Sequence, residues 1–293
     1  MSGKSFTVIT THYGDQFWVD LLVKQIHNEG QIKEILIAQN YSSSEIKSGW
    51  TSPYSTHEDY PKVKVLTKEN EYPEHASKQH TDLLNWTTQN HLFLGEFVVF
   101  FDSDCFPVDV NWLTKVDELL NDYEAILSMN PTSRFSVHVC FLVIKSEILK
   151  EVNFNFERHT TVRDGNKFEL RKETGSDLAF ILSRKKHKIY LLEPEYIFGR
   201  LGTTTYLGGK IVHIGGQSFI NRSDIKRNRE EFYEYISFQL PKKLALSVIE
   251  KPKYLRKGSR YLFLTFLIKK KIPFKVVVQA VQTLFLNKIF RRY

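Results

Sequence analysis

Runs of consecutive apolar residues, many of them β-branched, alternate in the first part of the chain with segments whose apolar residues recur every three or four positions. The first pattern is typical of buried strands and the second of amphipathic helices. Strands are therefore predicted at 6–11, 32–38, 63–66 and 96–101, and helices at 15–27 and 77–89. This order indicates βαβ units, and hence an α/β fold with a mostly parallel central sheet flanked by helices.

The pattern is less regular beyond the fourth predicted strand. Helices are predicted at 110–120, 175–183 and 224–236, and strands at 125–129, 137–144, 189–192 and 210–214. The segment 157–172 is polar and contains the turn signal Asp164-Gly165-Asn166, so it is predicted to be a mobile loop. The Gly- and Thr-rich segment 199–209 is predicted to be irregular.

The charge of the chain is unevenly distributed. The 293 residues carry a net charge of +8, yet positions 251–293 hold twelve Lys and Arg and no Asp or Glu, which leaves 29 basic and 33 acidic residues in positions 1–250. We therefore expect a globular domain at 1–250, with enough apolar residues for a full core, and a basic C-terminal tail at 251–293. Such a tail predicts an anionic partner, either a membrane surface or a nucleic acid.

The tail contains two apolar runs, 261–268 and 276–286, separated by Lys269-Lys270-Lys271 and Pro273. Each run is shorter than the roughly 20 residues that a helix needs to cross the hydrocarbon core of a bilayer. Basic flanks around short apolar runs predict an amphipathic helical element that lies on an anionic membrane surface. The alternative is a pair of helices packed on the body of the protein or on a second subunit of a homo-oligomer.

The start of the chain and its cysteines bear on localisation. The first residues contain no apolar stretch typical of a secretory signal. The two cysteines, Cys105 and Cys140, lie in apolar surroundings and indicate neither a disulfide framework nor a zinc pattern. We expect a cytoplasmic protein, held peripherally on the inner face of the membrane by its tail.

Asp102 and Asp104 directly follow the apolar strand predicted at 96–101. Extended backbone directs both carboxylates to the same face, and ligands of open α/β sheets bind at the carboxyl ends of the strands. Carboxylate oxygens are the ligands that Mg²⁺ and Mn²⁺ prefer. The pair therefore predicts a site for a divalent cation, while an ordinary strand exit with Asp as a turn residue is the alternative.

Other segments extend this motif: Val8-Ile9-Thr10-Thr11-His12-Tyr13, Lys78-Gln79-His80-Thr81-Asp82-Leu83-Leu84-Asn85, Thr174-Gly175-Ser176-Asp177-Leu178-Ala179-Phe180 and Val212-His213-Ile214-Gly215-Gly216. Together with Asp102-Ser103-Asp104, they resemble the GT-A fold glycosyltransferases that use nucleotide-diphospho-sugars, especially the inverting family two, over about 6–218. The resemblance implies a GT-A (Rossmann-like) sheet and transfer of a sugar from a nucleotide-sugar donor to a hydroxyl of a glycan or lipid-linked acceptor. The implied setting is surface polysaccharide or glycoconjugate synthesis.

The resemblance also assigns donor and metal residues. It implies that Thr11, His12 and Tyr13 receive the nucleotide, that Asn40 faces the base where the family often has an acidic residue, that Lys78 reaches the diphosphate, and that Asp102 and Ser103 contact the donor. It implies Mn²⁺ or Mg²⁺ held by Asp102, Asp104 and His213. The alternatives are a surface tyrosine in a turn, a solvated lysine at a helix start and a histidine of the core.

The resemblance places a catalytic base at Asp177, although Ser176 replaces the Glu that usually precedes it. A carboxylate at that position can take the proton of an acceptor hydroxyl as it attacks the anomeric carbon. The alternative is an acidic residue at a helix start, where the helix dipole favours negative charge.

Three other functions are alternatives to sugar transfer. A phosphatase of the haloacid dehalogenase type needs Thr or Val where this chain has Phe106, and a sugar-phosphate nucleotidylyltransferase needs a Gly-rich basic loop that His12-Tyr13-Gly14-Asp15 does not supply. A catalytically degenerate sugar-nucleotide fold could instead serve as a binding or scaffold protein, with the basic tail on a nucleic acid or a protein partner. The joint presence of Asp102, Asp104, Asp177 and His213 argues for an enzyme.

Overall fold

The computed structural model describes residues 3–12, 16–41, 54, 60–69, 76–130, 136–155, 159–164, 167–172, 174–196 and 204–213. All of them belong to one compact unit. Tyr13, the helix predicted at 224–236 and the tail at 251–293 lie outside the described residues, so the predictions for them stay predictions. No helix in the described part of the chain is both long enough and apolar enough to cross a membrane.

The described residues form strands and helices that alternate in the first part of the chain. In chain order they are β1 (Phe6–His12), α1 (Gln16–Ile26), β2 (Ile32–Tyr41), β3 (Val63–Glu69), α2 (Ala76–Asn90), β4 (Phe97–Phe101), β5 (Cys105–Pro107), α3 (Trp112–Leu119), β6 (Ala125–Met129), β7 (Val137–Lys145), α4 (Ser146–Leu149), β8 (His159–Asp164), β9 (Lys167–Lys172), α5 (Leu178–Arg184), β10 (Ile189–Leu192), β11 (Glu195–Tyr196), β12 (Thr204–Tyr206) and β13 (Ile211–His213).

Seven strands form the central sheet, in the order β10-β6-β7-β4-β1-β2-β3. The neighbours from β4 to β3 are parallel, as are β10 and β6, whereas β7 runs antiparallel to both β4 and β6. Strand β7 follows β6 after a connection too short for a crossover helix, so an antiparallel direction is the one available to it. The mostly parallel α/β sheet expected from the sequence is confirmed, and its strand order is consistent with a GT-A (Rossmann-like) fold.

Helices cover both faces of this sheet. On one face, Leu84 of α2 and Leu182 of α5 belong to the same buried cluster as Phe100 of β4. On the other face, the ring of Phe101 lies 5.6 Å from that of Trp112 in α3, and Trp18 of α1 stacks at 6.4 Å on Phe106. Successive strand residues point to opposite faces, so the continuous apolar run of β4 is explained by burial on both sides.

A buried polar network fixes the approach to β4, the strand that delivers Asp102. Glu34 of β2 has a side chain only 1% exposed, and it accepts hydrogen bonds from the Thr7 hydroxyl at 2.9 Å, the Leu94 N–H at 2.9 Å and the Lys64 ammonium at 3.0 Å. The Gly95 N–H in turn donates to the Thr7 hydroxyl at 3.0 Å. A β-carbon at Gly95 would lie 2.3 Å from the Thr7 backbone nitrogen, so only glycine fits this crossing of the two chain segments.

Glu34→Gln is expected to lower the free energy of unfolding at neutral pH by about 2–3 kcal/mol, because an amide nitrogen replaces an acceptor of charge-assisted hydrogen bonds. Burial raises the pKa of Glu34, but the donors on Leu94, Lys64 and Thr7 outweigh it and hold the pKa below its ordinary value of 4.5. Because the pKa of Glu34 is lower in the folded state than in the unfolded state, its carboxylate stabilises the folded state at pH values above the unfolded-state pKa. This contribution is lost as the pH falls through the folded-state pKa.

Urea denaturation of wild type and Glu34→Gln across the acidic range checks this prediction. The difference in the free energy of unfolding between wild type and Glu34→Gln should be largest at neutral pH and should shrink below about pH 4.5. The exposed neighbour Glu96 supplies the control, since Glu96→Gln should change stability by less than about 0.5 kcal/mol. A difference that is constant with pH would show that Glu34 acts through packing rather than through its charge.

Two segments differ from their sequence-based predictions. The segment predicted to be a mobile loop at 157–172 contains the antiparallel pair β8–β9. This is consistent with the β-branched run Thr160-Thr161-Val162 before a Gly-Asn turn signal and with the alternating apolar residues Phe168 and Leu170 after it. The segment predicted to be irregular at 199–209 contains β12. Strand β12 belongs to a second sheet in the order β11-β12-β13-β5, and β5 of that sheet begins directly after Asp104.

Candidate metal centre

Asp102 lies at the carboxyl end of β4, where β7 begins alongside it. The pairing of β4 with β7 sets Phe101 opposite Phe141, and the Asp102 N–H donates to the Cys140 carbonyl oxygen at 3.0 Å. On its other side β4 pairs with β1, with Phe101 opposite Thr10. The expectation that the Asp pair lies at the carboxyl edge of the parallel strands is therefore confirmed.

The second sheet brings His213 to this edge. Strand β13 pairs antiparallel with β5 so that His213 lies opposite Cys105, the residue after Asp104. The His213 Nε2 atom is 3.4 Å from Asp104 Oδ1 and 3.9 Å from Asp102 Oδ2. A hydrogen bond from the Val108 N–H to the Lys210 carbonyl, 2.8 Å long, extends the pairing. Two strands far apart in the chain thus place an imidazole against two carboxylates.

These three side chains fit a divalent cation. The ligand atoms of Asp102, Asp104 and His213 all lie within 4.8 Å of one another. Two oxygen ligands on opposite sides of Mg²⁺ are about 4.2 Å apart, so an ion can contact all three with small adjustments. Asp104 and His213 are 4% and 9% exposed, while Asp102 is 21% exposed. The cluster is therefore open to an incoming ligand on the Asp102 side.

Further histidines surround the carboxylates. His80 of α2 places its Nε2 atom 3.5 Å from Asp102 Oδ1, and the ring of His138 in β7 lies 4.9 Å from that of His213. Burial raises the pKa of Asp102, and the neighbouring His80 and His213 offset part of that rise. Burial lowers the pKa of His80.

The charges of the cluster are strongly coupled. Burial alone lowers the pKa of His213, but Cys140, Asp104 and Asp102 raise it to about 10. Burial opposes ionisation of the Cys140 thiol, yet a hydrogen bond from Cys105 and the positive charges of His138 and His213 hold its pKa well below the usual range. Burial raises the pKa of Cys105 well above its ordinary value. The Cys140 thiol and the two carboxylates therefore favour the protonated form of the His213 imidazole.

The residues predicted to contact the donor lie along the same edge. Thr11 and His12 end β1, and His12 pairs with Gln39 of β2 in parallel register. Thr11 is half-buried. The His12 ring is fully buried between Tyr41 and Tyr54, with ring distances of 5.9 and 5.6 Å. The donor contacts of both residues stay predictions.

Asn40 and Lys78 are linked to the start of α2. The Asn40 amide donates to the Gln79 carbonyl at 3.4 Å, and the Gln79 amide donates to the Asn40 carbonyl at 3.3 Å. Lys78 lies in the first turn of α2 and is half-buried. Ser103, between the two aspartates, is buried. The structure therefore brings β2 and α2 together here, while the roles of these residues toward a donor stay predictions.

The segment 174–177 packs beside the start of β7. The Val137 N–H donates to the Ser176 carbonyl at 3.2 Å, and the Thr174 and Thr81 hydroxyls are 3.0 Å apart. Gly175 has a φ of +70°, and a β-carbon there would lie 2.5 Å from Val139, so this turn requires glycine. The segment is thereby held next to the strand that carries His138.

Asp177 occupies the N-cap position of α5, but its side chain makes no capping hydrogen bond. The helix dipole favours a negative charge at this position even without such a bond. The alternative of an acidic residue at a helix start and the role of Asp177 as a base therefore both stay predictions.

Three side chains of the cluster were not predicted from the sequence: His80, His138 and Cys140. A usable signal existed for two of them, because His138 and Cys140 are spaced i, i+2 on a predicted strand and must share a face. The contact of His80 with Asp102 depends on how α2 packs on the sheet, which no local pattern encodes.

No family model matches this sequence, and no curated protein matches it. Solved structures share the fold at low similarity. A mannosyltransferase from Pyrobaculum calidifontis in complex with GDP-Man and Mn²⁺ matches with a TM-score of 0.45 and 15% identity over 65% of this chain. The match spans 55% of that protein's length.

Two further structures show the same level of similarity. The glucosyl-3-phosphoglycerate synthase of Mycobacterium tuberculosis, in complex with Mn²⁺, UDP and phosphoglyceric acid, has a TM-score of 0.37 and 13% identity over 65% of this chain and 69% of its own. The 4-diphosphocytidyl-2C-methyl-D-erythritol synthase of Anaerococcus prevotii has a TM-score of 0.41 and 10% identity over 79% of this chain and 100% of its own. The named activities differ, so likeness at this level does not select a reaction for this chain.

Proposed function

We propose that this chain is a metal-dependent glycosyltransferase that moves a sugar from a nucleotide-diphosphate donor to a hydroxyl of an acceptor, with inversion at the anomeric carbon. The observation that carries the proposal is the meeting of Asp102, Asp104 and His213 at the carboxyl edge of a GT-A sheet. This edge is where open α/β sheets bind their ligands. A scaffold protein has no need for two carboxylates and a histidine buried against one another.

The three ligands have separate tasks in this proposal. Asp104 and His213, which are nearly inaccessible to solvent, hold a Mn²⁺ or Mg²⁺ ion from inside the protein. Asp102 is partly exposed and faces the donor as well as the ion. When bound, the ion supplies positive charge that stabilises the nucleoside diphosphate as it leaves.

The nucleotide is assigned to the ends of β1 and β2. Thr11 offers a hydroxyl at the edge of β1, Asn40 offers the donor and acceptor groups of an amide to a base, and Ser103 contacts the donor beside the ion. Lys78, in the first turn of α2, is assigned to the diphosphate. His80, which is 3.5 Å from Asp102, orients that carboxylate.

Asp177 is assigned as the general base. It lies at the start of α5, in a segment that packs beside the start of β7 through the hydrogen bond from the Val137 N–H to the Ser176 carbonyl. A base that takes the proton of the attacking hydroxyl is what an inverting transfer requires.

A screen of sugar nucleotides tests the function. The full-length protein is mixed with each nucleotide-diphospho-sugar and Mn²⁺, and the thermal midpoint and the release of nucleoside diphosphate are measured. We expect at least one donor to raise the midpoint and to be hydrolysed slowly in the absence of an acceptor, and both effects to vanish in excess chelator. The proposal would be refuted if no donor raised the thermal midpoint and no donor was hydrolysed.

We further propose that the tail at 251–293 holds the enzyme at the cytoplasmic face of a membrane, near a glycan or lipid-linked acceptor. The support is its twelve positive charges with no negative ones, interleaved with two apolar runs. Each basic residue near anionic lipid contributes about 1 kcal/mol, so even partial engagement gives peripheral binding.

Sedimentation with vesicles tests this placement. The full chain is expected to sediment with anionic vesicles at low salt and to be released at high salt, whereas neutral vesicles should leave it in solution. A chain shortened to end at Glu250 should remain in solution with both kinds of vesicle. If the full chain ignores anionic vesicles, or if shortening it unfolds the domain, the tail instead packs on the body or forms an oligomer interface.

A further inference from the structure

His138 and Cys140 lie beside the candidate metal centre but have no part in the proposed sugar transfer. Both belong to β7 and are spaced i, i+2, so their side chains share one face of the strand. Val137 and Val139 contribute to the hydrophobic core on the opposite face. His138 and Cys140 therefore face the edge where Asp102 and His213 lie.

Together with His213, these two residues form a second set of metal ligands. One ligand atom from each of His138, Cys140 and His213 lies within 4.8 Å of the other two. Ligands of a tetrahedral zinc ion are about 3.5 Å apart, given bond lengths of about 2.0–2.3 Å. The set can thus close on an ion through side-chain movements of about 1 Å, which change neither strand.

The two imidazoles lack hydrogen bonds that buried rings normally make. The Nδ1 atoms of His138 and His213 are both inaccessible to solvent and have no hydrogen-bond partner among the described residues. The His213 side chain is 9% exposed. A buried polar atom without a partner is costly, so binding of a species that pairs with these nitrogen atoms is favoured.

We propose that His138, Cys140 and His213 bind a borderline-soft divalent cation, Zn²⁺ in the first place. One thiolate and two imidazoles are a zinc ligand set, whereas Mg²⁺ and Mn²⁺ prefer oxygen ligands. With three protein ligands the fourth position remains open, as in zinc sites that bind a substrate or water and unlike closed structural sites.

The neighbouring strand supports this arrangement. The Ser128 hydroxyl of β6 donates to the His138 carbonyl oxygen at 2.6 Å and lies 3.6 Å from the Cys140 sulfur. The bond to the carbonyl oxygen fixes the backbone of a ligand residue, as hydrogen bonds around metal sites commonly do. His213 belongs to both ligand sets, so the identity of the bound ion decides which of them it joins.

X-ray absorption at the zinc edge tests the proposal on the full chain with one equivalent of Zn²⁺. We expect a sulfur scatterer at about 2.3 Å together with nitrogen at about 2.0–2.1 Å. The chain has two cysteines, both fully buried, so each serves as the control for the other. Cys140→Ser should lose the sulfur scatterer, and Cys105→Ser should keep it.

A wild-type spectrum with nitrogen and oxygen scatterers alone would overturn the proposal, as would sulfur that persists in Cys140→Ser. If Cys140→Ser fails to fold by circular dichroism, retention of sulfur in Cys105→Ser still assigns it to Cys140, and its loss there assigns it to Cys105 and refutes the site. No sugar nucleotide enters the measurement. A failed donor screen therefore leaves the zinc site standing, and a failed zinc measurement leaves the transferase standing.

Discussion

Asp104→Ala is expected to reduce metal-dependent turnover of the sugar nucleotide by at least about 10³-fold, comparable to the loss of one strong electrostatic stabiliser of a developing anion. Asp104 is the least exposed carboxylate of the centre, and its Oδ1 atom is 3.4 Å from the Nε2 atom of His213. Its removal leaves an ion with only His213 on the protein-interior side. The measurement is nucleoside diphosphate release across a Mn²⁺ titration.

Glu118→Ala is the control, because Glu118 lies on α3 and pairs with Lys115 at 2.8 Å with both side chains exposed. An exposed pair contributes at most about 1 kcal/mol, so activity and fold should persist. Asp104→Asn, which keeps the volume of the side chain, separates loss of charge from loss of packing. Wild-type rates in Asp104→Ala, or full activity of the wild type in excess chelator, would remove Asp104 from the catalytic site.

Asp177→Asn is expected to lower the rate of sugar transfer by about 10²–10⁴-fold, the usual contribution of general acid–base catalysis. Asparagine keeps the size of the side chain but cannot accept the proton of the acceptor hydroxyl. Donor affinity should be unchanged, because the Asp102, Asp104 and His213 cluster is untouched. Transfer is measured by product formation with a saturating acceptor, and donor affinity by calorimetry.

Glu147→Gln is a suitable comparison, since Glu147 is also a carboxylate in the first turn of a helix, α4. Its side chain is 79% exposed and pairs with Lys145 at 3.2 Å, so loss of its charge costs at most about 1 kcal/mol. This variant should transfer sugar at nearly the wild-type rate. Near-wild-type transfer by Asp177→Asn would place the base elsewhere, with Glu173 the first residue to test.

The sheet could be predicted from sequence because its strands are buried on both faces. Continuous apolar runs such as that of β4 leave few other structures open to the chain. The position of the Asp pair could be predicted for a related reason. Two charged residues directly after the apolar run mark the carboxyl end of the strand. Some strands are longer than predicted: β2 was predicted to end at residue 38 and continues to Tyr41.

The rest of the site could not be predicted because it depends on tertiary packing. Strand β5 is only three residues long, and its partner β13 is distant in the chain, so no local pattern reveals that His213 pairs opposite Cys105. Cys140 and His138 carried a periodicity signal, but their proximity to Asp102 follows from the antiparallel register of β7. The β8–β9 hairpin was missed because its charged residues indicated a loop.

The pairing of β5 with β13 has a consequence for how this protein can change over evolution. Two of the three proposed ligands, Asp104 and His213, are positioned by strand register and not by the length of chain that joins them. Most of that intervening chain packs elsewhere, so segments can be inserted into or removed from its surface loops while the ligands still meet. A shift of β13 by one residue would instead turn His213 to the opposite face. A lineage can therefore change the surface loops of this protein far more freely than it can alter these three-residue strands.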